Sequence, residues 1–212
     1  MPAQDAISVD LSAMTHENRY KFLTATVVPR PIALVTTLSQ NGLVNAAPFS
    51  QFIILSATPA ILGIVSGQYA GGMKDTHANI LANDEFVINL VDADLAEATQ
   101  ICAFPFRADC SEADQLGLET IFSRQIRTPR LAASPVSFEC RLLRTERFGC
   151  TATLIAGEVV DVHARPGLVD GHRVDHSLLR PLGRVAGRSY CTTSELIHMD
   201  ASLDGPFEAL RR

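Results

Sequence analysis

The chain has 212 residues, 47% of them hydrophobic and 19% charged, with a formal net charge of −5. That length suffices for one domain burying roughly 70% of its unfolded surface, and the acidic balance excludes nucleic acid as a partner, because phosphate-backbone binding needs clustered basic residues. Five cysteines (Cys102, Cys110, Cys140, Cys150, Cys191) with no C-x-x-C pair predict neither a disulfide framework nor a zinc site.

The start, Met1-Pro2-Ala3-Gln4-Asp5, lacks the basic residues and apolar stretch of a signal peptide. No apolar run approaches the roughly 20 residues of a membrane span, so the expectation is a cytoplasmic protein with no membrane partner. The mildly positive mean hydropathy without a long apolar run points to apolar surface buried between subunits. In chain order, Thr15 caps a short helix in which Tyr20 and Leu23 share a face. Ile32 to Leu38 reads as a strand, Asn41-Gly42 as a hairpin turn, and Leu43 to Ile54 as the returning strand. Thr58-Pro59 breaks the chain, and Ala60 to Val65 is a continuous apolar strand expected to be buried on both faces. After a Gly67 to Gly72 loop come a helix over Asp75–Asn83, a strand over Glu85–Val91 and a helix over Asp94–Cys102.

Residues 103–134 are loop-rich with helical fragments and read as a surface insertion. Two long strands follow, Val136 to Arg147 and Thr151 to His163. In the second, Leu154, Ala156, Val160 and Val162 are expected on one face, interrupted by Glu158. The stretch 164–212, rich in Gly, Pro, Arg and His, reads as a tail wrapping over a single domain spanning 1–212. At least six strands with few, short helices predict a mainly β protein, a closed or nearly closed antiparallel barrel with peripheral helices. A doubly wound sheet would need helices between most strands, and no G-x-G-x-x-G fingerprint is present.

No carboxylate pair and no nucleophile–base pair stands out, so no catalytic residue is assigned and the chemistry is expected to belong to a bound cofactor. In Asn45-Ala46-Ala47-Pro48-Phe49-Ser50 the small residues let a flat ring approach the backbone. Asn45 and Ser50 add hydrogen bonds, and Phe52 adds an aromatic wall. The same residues also fit a plain polar turn into a strand. Lys74-Asp75-Thr76 opens a helix, whose first amides and dipole favour a phosphate; ordinary capping by Asp75 or Thr76 is the alternative. Arg30 and the hydroxyls of Thr36 and Thr37 are weaker candidates. His172-x-x-x-His176 has ligand spacing only if helical, and Gly171 favours a solvated loop, so no metal site is assigned.

Taken jointly, the segments Pro29 to Thr37, Asn45 to Ser50 with Ser56-x-x-Pro59, Lys74-Asp75-Thr76-x-x-Asn79-Ile80 and Glu85 to Asn89 resemble the flavin reductase-like family of FMN-binding split barrels. Pro135 to Cys140, Ile155 to Val159 and Arg180 to Tyr190 are similar to its later strands and tail, so the likeness spans roughly residues 20 to 190. The resemblance implies a homodimeric, six-stranded antiparallel split barrel with FMN near the subunit interface, reduced by NADH or NADPH. The electrons then pass to an acceptor such as a partner oxygenase. By motif, Arg30, Thr36, Lys74 and Thr76 would contact the phosphate and ribityl chain, while Asn45, Ala47, Pro48 and Ser50 would surround the ring. Ala46, Thr37 and Phe52 complete the expected cofactor set. Tyr190 and Arg184 are candidates for covering the nicotinamide side or for packing. His77 departs from the family pattern and reads as a solvated helix residue, with an extension of the phosphate site as the alternative. Three further readings stay open: a flavoredoxin-like electron carrier, a non-enzymatic FMN-binding module, and FMN-dependent reduction of a small organic substrate.

Overall fold

The computed structural model describes residues 6–67, 72–193 and 195–199. Helix α1 (His16–Thr26) begins where the Thr15 hydroxyl accepts from the Asn18 amide, and it buries no residue of its own. Strands β1 (Arg30–Pro31), β2 (Ala33–Leu38), β3 (Val44–Phe49), β4 (Phe52–Ala57) and β5 (Ala60–Gly67) follow. Helix α2 (Asp75–Asn83) then leads into β6 (Glu85–Leu90). After a 3-10 turn (Ala93–Leu95) come α3 (Ala96–Ile101), α4 (Glu112–Gln115), β7 (Thr120–Ile121) and β8 (Arg130–Leu131). The long hairpin β9 (Val136–Phe148) and β10 (Ala152–Ala164) precedes β11 (Val169–Asp170), β12 (Arg173–Val174), α5 (His176–Leu179), β13 (Leu182–Arg184) and β14 (Tyr190–Thr192). No helix among the described residues is long and apolar enough to cross a membrane.

The main sheet is antiparallel, in the order β3-β2-β6-β9-β10-β5-β4. Its two outermost strands, β3 and β4, are separated in the chain by only Ser50 and Gln51. Strands at opposite ends of a sheet can be joined by so short a link only if the sheet curls round on itself, which makes a barrel. Gln51 fixes the corner by accepting the Val65 amide at 2.9 Å. The sheet has seven strands rather than six because this corner divides the stretch read as one strand, Leu43 to Ile54, into β3 and β4.

Ala33, Val35, Phe49, Ile64, Phe86, Ile88 and Ile155 fill the barrel. A second cluster outside it joins Leu34 and Ile32 to Val91, Leu95, Cys102, Leu131 and Leu182. β2 and β6 are therefore the strands buried on both faces, because α2 and residues 103–134 lie over them. In β5 only the Leu62 and Ile64 face reaches the core; Ala60 is exposed and Ile61 and Val65 are half-buried. The core face of β10 also differs from expectation: Ile155 and Val159 point into the barrel, whereas Val162 is 49% exposed. Register shifts at Ala156/Gly157 and Val159/Asp161 interrupt the simple alternation.

Residues 103–134 contribute to the interior instead of forming only surface. Ala113 and Leu131 are buried, and the backbone of the segment is tied to the sheet by three acidic or amide side chains. Glu85 Oε1 accepts the amides of Arg127 and Thr128 at 3.0 and 2.9 Å. The Glu139 carboxylate accepts those of Arg124 and Gln125, both at 2.7 Å. Asn89 Oδ1 accepts the Leu131 amide at 2.9 Å. Burial alone would raise the Glu139 carboxyl, but the two amides and His163 outweigh it and hold the group below its ordinary range. The tail closes on the body where the Leu182 amide donates to the Val91 carbonyl and Leu168 and Leu179 pack on Val136.

Gly157 sits where the Phe86 ring crosses β10: a Cβ there would lie 2.5 Å from Phe86 Cζ. Gly157→Ala should destabilise the protein by about 1–3 kcal/mol through overpacking, read as a lower Tm. Adding Phe86→Leu should recover part of the loss; failure to do so would refute the proposed clash.

Candidate functional site

A cleft of about 840 Å³ opens between the corner strand β3, the start of α2, the end of α3 and the tail, with α1 at its rim. Its floor is β3, an edge of the sheet, which is why Pro48 is tolerated: a residue without an N–H costs nothing where no strand pairs. Ala47 and Pro48 keep that floor low. The free edge of β3 is covered by α4, through Glu112 Oε2 accepting the Ala46 amide at 3.0 Å and the Ser111 hydroxyl donating to the Val44 carbonyl at 2.7 Å.

At one end stands the first turn of α2. Its N-cap residue Lys74 makes no side-chain capping hydrogen bond, so the helix start is not closed by its own cap. Lys74 Nζ lies 5.2 Å from the Phe49 ring centroid, a cation–π contact. Thr76 Oγ1 accepts from Asn45 Nδ2 at 3.0 Å, which locks helix to strand. Elsewhere on the wall, Arg30 donates to the Ser50 hydroxyl at 3.4 Å and to the carbonyls of Thr24 and Val27, the last at 2.9 Å. Those carbonyls end α1, so one guanidinium fastens an otherwise unburied helix to the cleft. Arg184 lies 4.6 Å from the Tyr190 ring and donates to Gln100, the Tyr190 hydroxyl and the Gly187 carbonyl.

The cleft thus collects Arg30, Asn45, Ala47, Pro48, Ser50, Lys74 and Thr76, and also Arg184 and Tyr190. It does not collect Thr36, Thr37, Ala46 or Phe52. The Thr36 hydroxyl is sealed in the interior, donating to the Pro129 carbonyl at 2.7 Å and accepting from Asn89 at 3.2 Å. Thr37 accepts from Asn79 at 3.1 Å, behind α2. Ala46 is fully buried beneath α4, and Phe52 packs on the barrel core. His77 is buried rather than solvated, and its pKa is depressed by that burial. His172 and His176 lie in and after the β11–β12 turn. The metal-ligand-like group among the described residues is instead Glu139, Asp161 and His163, within 4.8 Å of one another. There both carboxylate oxygens of Glu139 already accept backbone amides, which marks the group as a clasp on the 103–134 segment.

Residues that sequence reasoning missed are Tyr20 and Thr24 from α1, Thr99 from α3, its C-cap Cys102, Phe104 and Phe106 beyond it, and Glu112. Thr99 Oγ1 is buried in the wall with no hydrogen-bond partner. Burial pushes the Cys102 thiol up to about 12. Burial, then the charge of Asp75, raises the Glu112 carboxyl, with the Ala46 amide opposing.

The match to the "Flavin reductase like domain" covers residues 25–182. The chain belongs to this flavin reductase-like family. YwrF of Bacillus subtilis, itself uncharacterized, is 36% identical over 189 residues, covering 86% of this chain and 92% of YwrF. Among solved structures, nitrilotriacetate monooxygenase component B from Bacillus cereus superposes with a TM-score of 0.89 at 29% identity, covering 93% of this chain and 100% of that one. The 2-nitrobenzoate 2-nitroreductase NbaA of Pseudomonas fluorescens superposes with a TM-score of 0.84 at 34% identity, covering 92% and 96%. The barrel seen here is the split barrel of the flavin reductases, and the family relation makes the chain a flavoprotein-type oxidoreductase.

Glu112 provides a pH test of this wall. An acid whose folded pKa is raised loses stability as it ionises, so its penalty is absent below the ordinary carboxyl range and complete above the raised value. Glu112→Gln keeps an acceptor for the Ala46 amide and removes the charge. Its Tm should exceed that of the parent by about 2–4 °C at pH 8, with the gap closing toward pH 4; an equal gap at both pH values would contradict the assignment.

Proposed function

We propose that this chain is an NAD(P)H-dependent flavin reductase that binds FMN in the cleft and passes electrons to an acceptor, a partner oxygenase among the candidates. The observation that carries the reading is the cleft itself, where a helix start with Lys74 and Thr76 stands beside a flat, small-residue strand edge. A phosphate suits the first and a planar ring the second. The unpartnered Thr99 hydroxyl in the wall supports a polar ligand, since a buried donor left alone costs about 1–3 kcal/mol. The volume falls in the usual range of cofactor sites, roughly 300–1,000 Å³.

In this reading Lys74 and Thr76 hold the phosphate and ribityl chain, Asn45, Ala47, Pro48 and Ser50 border the ring, and Arg30 stands on the cleft wall. When bound, FMN supplies acceptance of hydride from the nicotinamide. The chain orients: Asn45 and Thr76 fix strand against helix, and Arg30 ties α1 to the wall. Cys102 stays a neutral thiol throughout. A partner oxygenase is supported by the structural likeness to a monooxygenase component B. A second reading, flavin-dependent reduction of a small nitroaromatic acceptor, is favoured by the 34% identity to a nitrobenzoate nitroreductase. Exposed Ile53, Ile54 and Leu55 on the edge strand β4 support a homodimer that covers them, and five free cysteines support a reducing, cytoplasmic setting.

The test is a visible spectrum of the purified protein with FMN, titrated anaerobically with NADH and then NADPH. Bleaching of the band near ~450 nm by either nucleotide is expected; a flavin that stays oxidised with both would overturn the nicotinamide claim and favour an electron carrier. Lys74→Ala should raise the Kd for FMN about tenfold or more, the scale of a lost charge-assisted contact.

A further inference from the structure

Arg30 and Arg184 are direct cross-strand partners in the β1–β13 pair, and both line the cleft. Antiparallel partners project to the same side with Cβ atoms about 4.5–5.5 Å apart, and like charges placed so repel. The approach is enforced by the neighbouring pair, Pro31 with Gly183: a Cβ on Gly183 would lie 2.9 Å from both Pro29 Cβ and Cys191 Sγ. Among the described residues neither guanidinium has a carboxylate partner, whereas Arg124, Arg127, Arg165 and Arg180 each have one. Instead both are held by neutral acceptors: Ser50 and the α1 carbonyls for Arg30, Gln100 and Gly187 for Arg184. Such contacts fix the two forks without neutralising them, and an arginine cannot relieve the repulsion by losing its proton. Burial, with the Arg184 charge as a lesser contributor, already holds Arg30 below its ordinary value.

Two fixed, uncompensated guanidiniums at one cleft wall are a preorganised oxyanion site. Beside them the cleft carries exposed aromatic rings, Tyr20 at 54% and Phe104 at 48%, which suit a flat ring. We propose that the Arg30–Arg184 pair docks the oxyanion of the ring-bearing molecule that exchanges electrons with the flavin, leaving the flavin phosphate to Lys74 and the α2 start. This rests on the reading that a second ligand enters the FMN cleft. The oxyanion has two possible sources, a phosphate of the reducing nucleotide or the carboxylate of an aromatic acceptor.

The experiment is isothermal titration of the full chain with FMN added, using NAD⁺, NADP⁺, benzoate and its uncharged counterpart benzamide, on the parent protein, Arg184→Gln and Arg184→Lys. Arg184→Gln should weaken the nucleotides or benzoate about tenfold or more, while FMN and benzamide change by less than about threefold. Arg184→Lys, which keeps the charge but not the fork, should fall between; it also carries the test if the Gln variant melts early. Loss confined to nucleotides assigns the phosphate, and loss confined to benzoate assigns the carboxylate. An FMN affinity that falls by the same factor would overturn the proposal, because the pair would then read the flavin phosphate. So would unchanged anion binding in Arg184→Gln, or no anion binding by the parent. Benzoate binding that depends on Arg184 in a protein whose flavin no nucleotide reduces would sink the reductase reading and leave the docking site standing.

Discussion

A long segment with little regular structure can lie against a barrel only if its backbone amides find acceptors there, and that requirement organises this molecule. Between residues 103 and 134 the acceptors are side chains projecting from the sheet: Glu85 for Arg127 and Thr128, Glu139 for Arg124 and Gln125, and Asn89 for Leu131. Asn89 is itself saturated, donating to the Leu34 carbonyl and Thr36 hydroxyl and accepting from Ser137. A buried amide left without a partner costs about 1–3 kcal/mol, so the segment and the sheet stand or fall together. Glu112 returns the service by accepting the Ala46 amide on the open edge of β3. Through that exchange the segment that looks peripheral sets the position of the cleft floor.

The cleft inherits a division of labour from this arrangement. Its floor and its α2 end belong to the barrel and the helix packed on it, locked together by the Asn45–Thr76 hydrogen bond. Its rim comes from elsewhere: Tyr20 from α1, Phe104 from the long segment, and Tyr190 from the tail. Rim residues can differ between relatives without disturbing the barrel core, since none of the three belongs to the cluster that fills it. A family built this way can keep one cofactor seat while exchanging the molecules that visit it.

Local signals were legible where one residue type settles local conformation. Asp75–Asn83 is the helix expected, Thr15 caps as expected, and the Asn41-Gly42 turn joins β2 to β3. Placement relative to the cleft was legible only in part. Thr36 and Thr37 sit on adjacent positions of a strand covered on both sides, so alternation could not say that neither face meets solvent. Glu112 gave no signal because its partner, Ala46, lies 66 residues away. On β10 the alternation was broken by two register shifts and by Gly157, whose missing side chain admits the Phe86 ring. Pairing across strands, not pattern within them, decided each of these.

Cys102 shows what such burial does for durability. Oxidants attack the thiolate rather than the thiol, and a thiol pushed up to about 12 is ionised in only about one molecule in 10⁵ at pH 7. Reduced flavins that meet dioxygen release peroxide, so a cleft working with them exposes its own lining to an oxidant at every idle turnover. With its side chain buried and its proton retained, Cys102 can serve as packing in that wall without becoming a sulfenic acid. Under the proposed function, the burial that raises this thiol would also protect it from the peroxide formed beside it.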